Sequence, residues 1–383
     1  MTFRFVICPV LSSVPIGELF LSSVSWSDPV FGTGASFTGK AEIGPDQTKE
    51  TLLALTQPDA VALYVKDDDT GQYLFGGPIY DNPWGRSERR LTVVAQSWKA
   101  WTYQKMLQMN TTVNPVTDVS YSQTNKDQFL ISRLLIAATV NADVGCPTVN
   151  LGSELSGVIR TITGTGSEMK FLGNVIDSMA NRDNGFEWEI QVRPDNTGNP
   201  VLWFAPSFPA RGGLNNRLLL LHQMAEGGNI LEMGDPENSA ADRRSRIWAT
   251  GTGQPPDQPV AFDQDPSVAT DFALLRESVT NYNTVSGIAT LADHARAERI
   301  YRNQTLQQVH VTVALDNPDF RTYASGDKVK LVVSDDWIDW DFDAVRIINR
   351  TFNINNEGEQ KIDKIDLLID LNDTDLPENI TVV

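Results

Sequence analysis

The amino-acid sequence predicts an α+β, β-rich protein: two small antiparallel β-barrels with an α+β domain between them. Three observations carry this. Short β-prone runs separated by Gly, Asn, Asp and Pro turns fill residues 1–108 and return in residues 301–383. Residues 109–228 hold two amphipathic helical patterns and a hairpin pattern. At 383 residues the chain can form two or three domains, each burying its own core. Residues 229–300 are expected to be a linker and helix region.

The elements follow in order. Met1 to Leu11 has one Arg before an apolar run, but Pro9, Pro15 and Glu18 interrupt it too early for a signal peptide. It is expected to be a strand leading into the first sheet. Glu18 to Trp26 alternates like a strand, and the Gly-rich stretch Phe31 to Phe37 follows. Gly44-Pro45-Asp46 is expected to cap a short helix through Leu52, Leu53 and Leu55. Ala60 to Val65 and Gln72 to Phe75 are β-prone, and Lys66 to Gly71 between them carries turn chemistry, which predicts a hairpin. Gly76-Gly77-Pro78 should bend the second strand; Asp81 to Gly85 should turn the chain again. Leu91 to Ala95 gives a third strand leading into an aromatic-rich turn or helix from Ser97 to Trp101.

Asn110 to Thr124 is polar and interrupted by proline. Asp127 to Thr139 predicts a helix with Leu130, Leu134 and Ala138 on one face beside Ile131 and Leu135, stopping before Gly145. Val158 to Ile162 is strand-like. Thr165 and Glu168 have the spacing of a capping box ahead of Phe171, Leu172, Val175, Ile176 and Met179, a helix expected to end near Asn184-Gly185. Phe186 to Val192 and Val201 to Phe204 form a hairpin around the turn Pro194 to Pro200.

Residues 205–213 and 250–259 are the best loops or linkers. Between them Arg243 to Ala249 leads into a strand. Ile288, Leu291, Ala292, Ala295 and Arg299 line a charged helix, and four strand-like runs close the chain: Val309–Val313, Lys328–Val333, Val345–Ile354 and Ile362–Leu371.

Composition narrows the function. A net charge of −18 and a pI near 4.5 argue against a nucleic-acid-binding surface, which needs clustered Lys and Arg. Acidity suits solubility, and equally a wall past which DNA slides without sticking. No stretch approaches the ~20 apolar residues that span a bilayer. Cys8 and Cys146 are far apart and outside any metal-ligand spacing, so both are expected as plain thiols. His222, His294 and His310 form no zinc motif, and no G-x-S-x-G elbow occurs. Gly164-Thr165-Gly166 and Gly251-Thr252-Gly253 begin like phosphate loops but do not continue as one, and are expected to be turns. Asp339, Asp341 and Asp343 alternate with Trp340 and Phe342. An EF-hand loop there would place Ala344 where glycine is needed and Arg350 where glutamate is needed, so acids on the wet face of a strand or turn are expected. Carboxylate pairs and nine tryptophans would also suit sugar chemistry, but Trp84, Trp98, Trp101, Trp188 and Trp203 sit in or beside apolar runs, where burial is the usual explanation. No catalytic, cofactor or metal residue is assigned.

Leu74-Phe75-Gly76-Gly77-Pro78-Ile79, then Leu91 to Trp98, resemble the first barrel of minor tail, or baseplate-hub, proteins at the tail tip of long-tailed (siphovirus) phages, particularly those infecting actinobacteria. The helix from Phe171 to Asn184 before Gly185 to Ile190 resembles the middle domain of that family, and Tyr323 to Leu331 resembles its Gly-Asp-x-Val strand start. The Asp339 to Asp343 cluster and the long loop near Pro255 lie outside the shared pattern. The resemblance implies a non-enzymatic virion component made in the host cytoplasm: a homotrimeric ring whose two tail-tube-like barrels per subunit match a six-fold tube. Its implied partners are the distal tail protein, the tape-measure protein and other minor tail proteins, with DNA passing through the lumen without specific binding. Two other classes stay open, a glycan- or receptor-binding tail module and a tail-associated cell-wall hydrolase.

Overall fold

In the computed structural model, the described residues are 3–42, 48–85, 90–108, 120–143, 145–182, 184–211, 219–223, 228–241, 243–269, 274–283, 285–303, 306–314, 323–334, 338–354 and 362–372. The amino-terminal part holds β1 (Phe3–Pro9), β2 (Gly17–Leu19), β3 (Leu21–Pro29), β4 (Ser36–Glu42), α1 (Lys49–Leu55), β5 (Val61–Asp67), β6 (Tyr73–Asp81), β7 (Trp84–Gly85), β8 (Arg90–Gln96) and α2 (Trp98–Thr102). The middle part holds β9 (Ser120–Asp127), α3 (Gln128–Ala142), β10 (Val149–Asn150), β11 (Ile159–Thr165), α4 (Leu172–Ala180), β12 (Glu187–Pro194) and β13 (Pro200–Ser207). Then come β14 (Leu219–Gln223), β15 (Ile230–Met233), β16 (Glu237–Ser239), β17 (Arg246–Thr250), β18 (Val260–Gln264), β19 (Glu277–Asn281), α5 (Ile288–Arg302), β20 (Leu306–Ala314), β21 (Lys328–Ser334), β22 (Asp339–Ile354) and β23 (Ile362–Asp370).

The expected hairpin is β5–β6, with Val65 opposite Phe75 and Ala62 opposite Pro78. Asp67 builds its turn, accepting from the Asp69 amide at 3.0 Å and the Thr70 hydroxyl at 2.9 Å, while Gly71 takes a φ of +71°. Gly76-Gly77-Pro78 lies inside the second strand, β6. The strand runs through it and changes partner, leaving β5 for β8 at Ile79 opposite Ala95. The glycines are there for closeness. A Cβ on Gly77 would stand 1.7 Å from the Gln96 carbonyl oxygen, and one on Gly76 would stand 2.5 Å from both Tyr64 and Val192 of β12.

Burial explains the apolar runs of β1 and β5. Phe3, Phe5, Ile7, Val61, Leu63 and Val65 face one core, and Val6, Cys8, Ala62 and Tyr64 face another. A strand covered on both sides must be apolar on both sides. The second core is the middle part: α3 and α4 pack with β12 and β13 around Phe129, Leu135, Ile176, Trp188 and Phe204.

The chain is β-rich with a minority of helix, as predicted. The ends of the chain are not two isolated units. Asn349 to Ile354 of β22 pair antiparallel with Val24 to Pro29 of β3, so strands from both ends join one fifteen-stranded sheet. Its core is likewise continuous from Phe3 to Leu371. Among the described residues its longest strand path runs from β15 to β2 without returning on itself. β14 adds to this sheet by pairing parallel with β21.

Several expectations are corrected. α1 is capped by Thr48, whose hydroxyl accepts from the Thr51 amide at 3.2 Å; residues 44–46 lie outside the described residues, as does most of Asn110 to Thr124. On α3 the inward residues are Phe129, Ile131, Ser132, Leu135, Ile136 and Thr139, whereas Leu130 is exposed. Leu134 and Ala138 are only half-buried, because the face that packs into the core is the one carrying Phe129, Ile131, Leu135 and Ile136. The Thr165–Glu168 capping box forms, but on a single 3-10 turn; Met169 breaks it at a φ of +50°, and α4 starts at Leu172. α4 ends at Ala180, whose carbonyl accepts from the Phe186 amide, and Gly185 fits there because a Cβ would stand 1.7 Å from that oxygen. On α5 Leu291 and Ala295 are buried as expected, but Ile288 is exposed and His294 joins the buried face. The Gly-rich stretch Phe31 to Phe37 leads directly into β4, a strand its short alternation conceals. Residues 246–302 are more than a linker: β18, β17 and β19 form a three-stranded sheet under α5 with a small core of Ile247, Ala249, Ala261, Leu291 and Ala295.

Candidate functional site

Among the described residues, a cluster of six ionised side chains stands at the joint where the amino-terminal sheet, the middle part and the carboxyl-terminal strands meet. β3 brings Asp28, β12 brings Glu187 and Glu189, β22 brings Arg346 and Arg350, and the segment after β13 brings Arg211. Arg350 Nη2 donates to Asp28 Oδ2 at 2.6 Å, and Arg211 Nη2 lies 3.5 Å from Asp28 Oδ1. Arg211 Nη1 pairs with Glu189 at 3.0 Å, and Arg346 Nη2 with Glu187 at 2.5 Å. The Arg211 amide donates to Glu187 at 2.8 Å. The Ser325 hydroxyl donates to the Asp28 carbonyl. Three carboxylates thus face three guanidinium groups, and arginine suits the task because its rigid fork reaches two partners at once.

Burial opposes ionisation of Asp28, but the charges of Arg211 and Arg350 outweigh it and hold its carboxyl below the usual range. Burial alone would lower Arg211; Glu189, Asp28 and Glu187 instead raise it. With Asp28 held charged by its arginines, it is a poor general acid, so the joint's chemistry is that of a clamp.

Two hollows flank it. A cavity of about 330 Å³ lies between β6, β12 and the Asp28–Arg211–Arg350 group. A cleft of about 830 Å³ lies among Phe31, the end of α4, Trp188 and the α5 module. Trp188 Nε1 donates to Asp177 Oδ1 at 2.9 Å, and the Tyr103 hydroxyl donates to Asp177 Oδ2 at 2.7 Å. In the α5 module His294 stacks on Tyr282 with ring centroids 4.2 Å apart. Burial first, then the charges of Arg182 and Arg160, push its pKa down to about 4.

The residues weighed in the sequence fall elsewhere. Asp339, Asp341 and Asp343 occupy one face of β22 while Trp340 and Phe342 turn toward the core. Lys330 Nζ sits 2.8 Å from Asp341 and 3.1 Å from Asp343, so a lysine ammonium stands where a cation would. Among the described residues no group of three His, Cys, Asp or Glu side chains could hold a metal ion. His222, His294 and His310 lie on β14, α5 and β20. Cys8 is buried and Cys146 half-buried, both free thiols. Trp98 and Trp188 are buried and Trp101 and Trp203 half-buried, as expected; Trp84 is exposed beneath Lys49. No helix is long and apolar enough to cross a membrane among the described residues. The Arg–carboxylate joint was not foreseen. Its six members span Asp28 to Arg350, and no local pattern marks them.

No family model and no curated protein sequence matches the chain. Solved structures do. A tail protein from Neisseria meningitidis MC58 superposes with a TM-score of 0.57 at 12% identity, covering 100% of both chains. The prophage MuSo2 43 kDa tail protein from Shewanella oneidensis gives 0.55 at 13% identity, covering 99% of this chain and 100% of that one. Prophage tail protein gp18 from Listeria monocytogenes EGD-e gives 0.52 at 11%, covering 98% and 97%. At such identities similarity lies in architecture alone, and end to end this chain has the fold of phage tail proteins.

Proposed function

We propose that the chain is a structural, non-enzymatic protein of a phage tail tip: a baseplate-hub ring that closes the tail tube, joins it to distal tail, tape-measure and host-contacting proteins, and lets DNA pass. The observation that carries this reading is the match to three tail proteins over essentially the full length of both partners. In this reading three chains form the ring, and the strand-rich ends of each supply two tube-like barrels that meet a six-fold tube. The β3–β22 pairing supports it, because a shared sheet holds the two ends of a subunit at fixed spacing. So does the three-by-three clamp, which fixes the middle part against both ends without a cofactor. The charge of −18 suits a wall past which DNA slides.

Immunogold electron microscopy of phage particles with antibodies against this chain tests the location. Label confined to the tail tip supports the reading. Label along the whole tube, or on the capsid, overturns it.

A further inference from the structure

Lys99, on α2, is only 7% exposed. Among the described residues its ammonium donates to no oxygen; its close polar contact is the face of the Trp188 ring, 4.8 Å away. Burial depresses its pKa against the opposing pull of Asp177 and Glu189, as for an ammonium short of partners. The side chain lines both the 330 Å³ cavity and the 830 Å³ cleft. Arg182, also in the cleft wall, is held by one bond, Nε donating to the Ser178 carbonyl at 2.9 Å. Its two terminal nitrogens have no acceptor among the described residues.

The acids lining the cleft are already engaged. Asp177 accepts from Tyr103 and Trp188, and Glu187 from Arg346 and the Arg211 amide. Glu298 accepts from Thr280 at 2.9 Å and Tyr282 at 3.3 Å, and pairs with Arg302 at 3.1 Å. The wall therefore presents satisfied carboxylates, unsatisfied cations and the flat rings of Trp188 and Tyr282.

We propose that this cleft binds a carboxylate carried on a peptide segment of a partner polypeptide, with Lys99 and Arg182 pairing the charge and Trp188 and Tyr282 forming the apolar walls. Charge complementarity selects an anion, since among the described residues neither the Lys99 ammonium nor the terminal nitrogens of Arg182 have an acceptor. The volume selects something larger than an ion, being in the range that encloses drug-sized ligands. A buried lysine with no acceptor among the described residues costs stability, and a site that receives its acceptor from outside accounts for keeping it. This inference rests on the cleft alone and does not depend on the tail-tip reading.

The test is calorimetric titration of the full chain with the blocked peptide acetyl-Gly-Phe-Glu-Phe-Gly-amide, its Gln counterpart and inorganic phosphate. The Glu peptide should bind at least about tenfold more tightly than the Gln peptide, and added salt should weaken it. Lys99→Met and Arg182→Gln should each lower its affinity about tenfold or more. Lys99→Met should also melt no lower than the parent, because it removes an uncompensated buried charge. Equal affinity for the Glu and Gln peptides, no saturation at millimolar peptide, or unaltered binding by Arg182→Gln overturns the proposal. Binding of phosphate without the peptide overturns it too, leaving a site for an adventitious ion only.

Discussion

Trp26 and Phe352 face each other across the β3–β22 pair, their rings stacked 4.7 Å apart and 13° from parallel. They are 1% and 2% exposed and lie 326 positions apart in sequence, so one contact ties the two ends of the chain into one core. Phe352→Ala and Trp26→Ala should each cost about 3–5 kcal/mol through cavity formation. A double-mutant cycle by urea denaturation should return a coupling of about 0.5–1.5 kcal/mol. Zero coupling would contradict a role for this stacked pair in joining the two ends.

The clamp makes a second prediction. Asp28→Asn leaves Arg211 and Arg350 without their shared counter-charge in a buried place. The expected loss is about 3–5 kcal/mol by urea denaturation, far more than for an exposed pair such as Arg4–Glu18. A loss under about 1 kcal/mol would show the joint to be solvated.

Two of the groups that shape the acid limb of stability act in separate windows. His294 has a folded pKa near 4, below its ordinary 6.5, so between those values the unfolded chain binds more protons. Stability should therefore fall as pH drops from 6.5 toward 4. In His294→Phe, which can keep the stack on Tyr282, the urea midpoint should be flatter across that window. Asp28, whose folded pKa is depressed, contributes above its ordinary 3.8 and loses that contribution only as pH falls further. Asp28→Asn should flatten only that lower limb.

Gly77 and Gly145 form a matched pair of tests. A Cβ on Gly77 meets the Gln96 carbonyl oxygen at 1.7 Å, whereas one on Gly145 meets nothing within 4 Å. Gly77→Ala should cost on the order of 4 kcal/mol or prevent soluble expression, and Gly145→Ala should stay within about 0.5 kcal/mol. Equal thermal midpoints for the two variants would contradict the packing role of the Gly-Gly-Pro step.

Local signals were legible in the sequence, and relations between distant segments were not. The β5–β6 hairpin, α4 and the closing strands announce themselves because turn residues and apolar periodicity act over a few positions. The inward face of α3 is ambiguous in the sequence because Leu130 and Ile131 are equally apolar; the packing of α3 against α4, β9 and β10 decides between them. Within the region read as linker and helix, the strands β18 and β19 are hidden because the outward face of their small sheet, with Phe262 and Val279, blurs the alternation that marks a half-buried strand. The clamp was illegible for a plainer reason. Asp28, Glu187, Arg211 and Arg346 carry no mutual spacing: the pairing of β3 with β22 sets Asp28 opposite Arg350, and the packing of the middle part against these strands adds Glu187 and Arg211.

The tail-tip account stands most directly on the mass of the purified chain in solution, measured by light scattering and paired with electron microscopy of the same sample. Three chains of 42.3 kDa should give a ring of about 127 kDa with a central hole. A particle of a single chain's mass at every concentration, with no ring in any field, would contradict it.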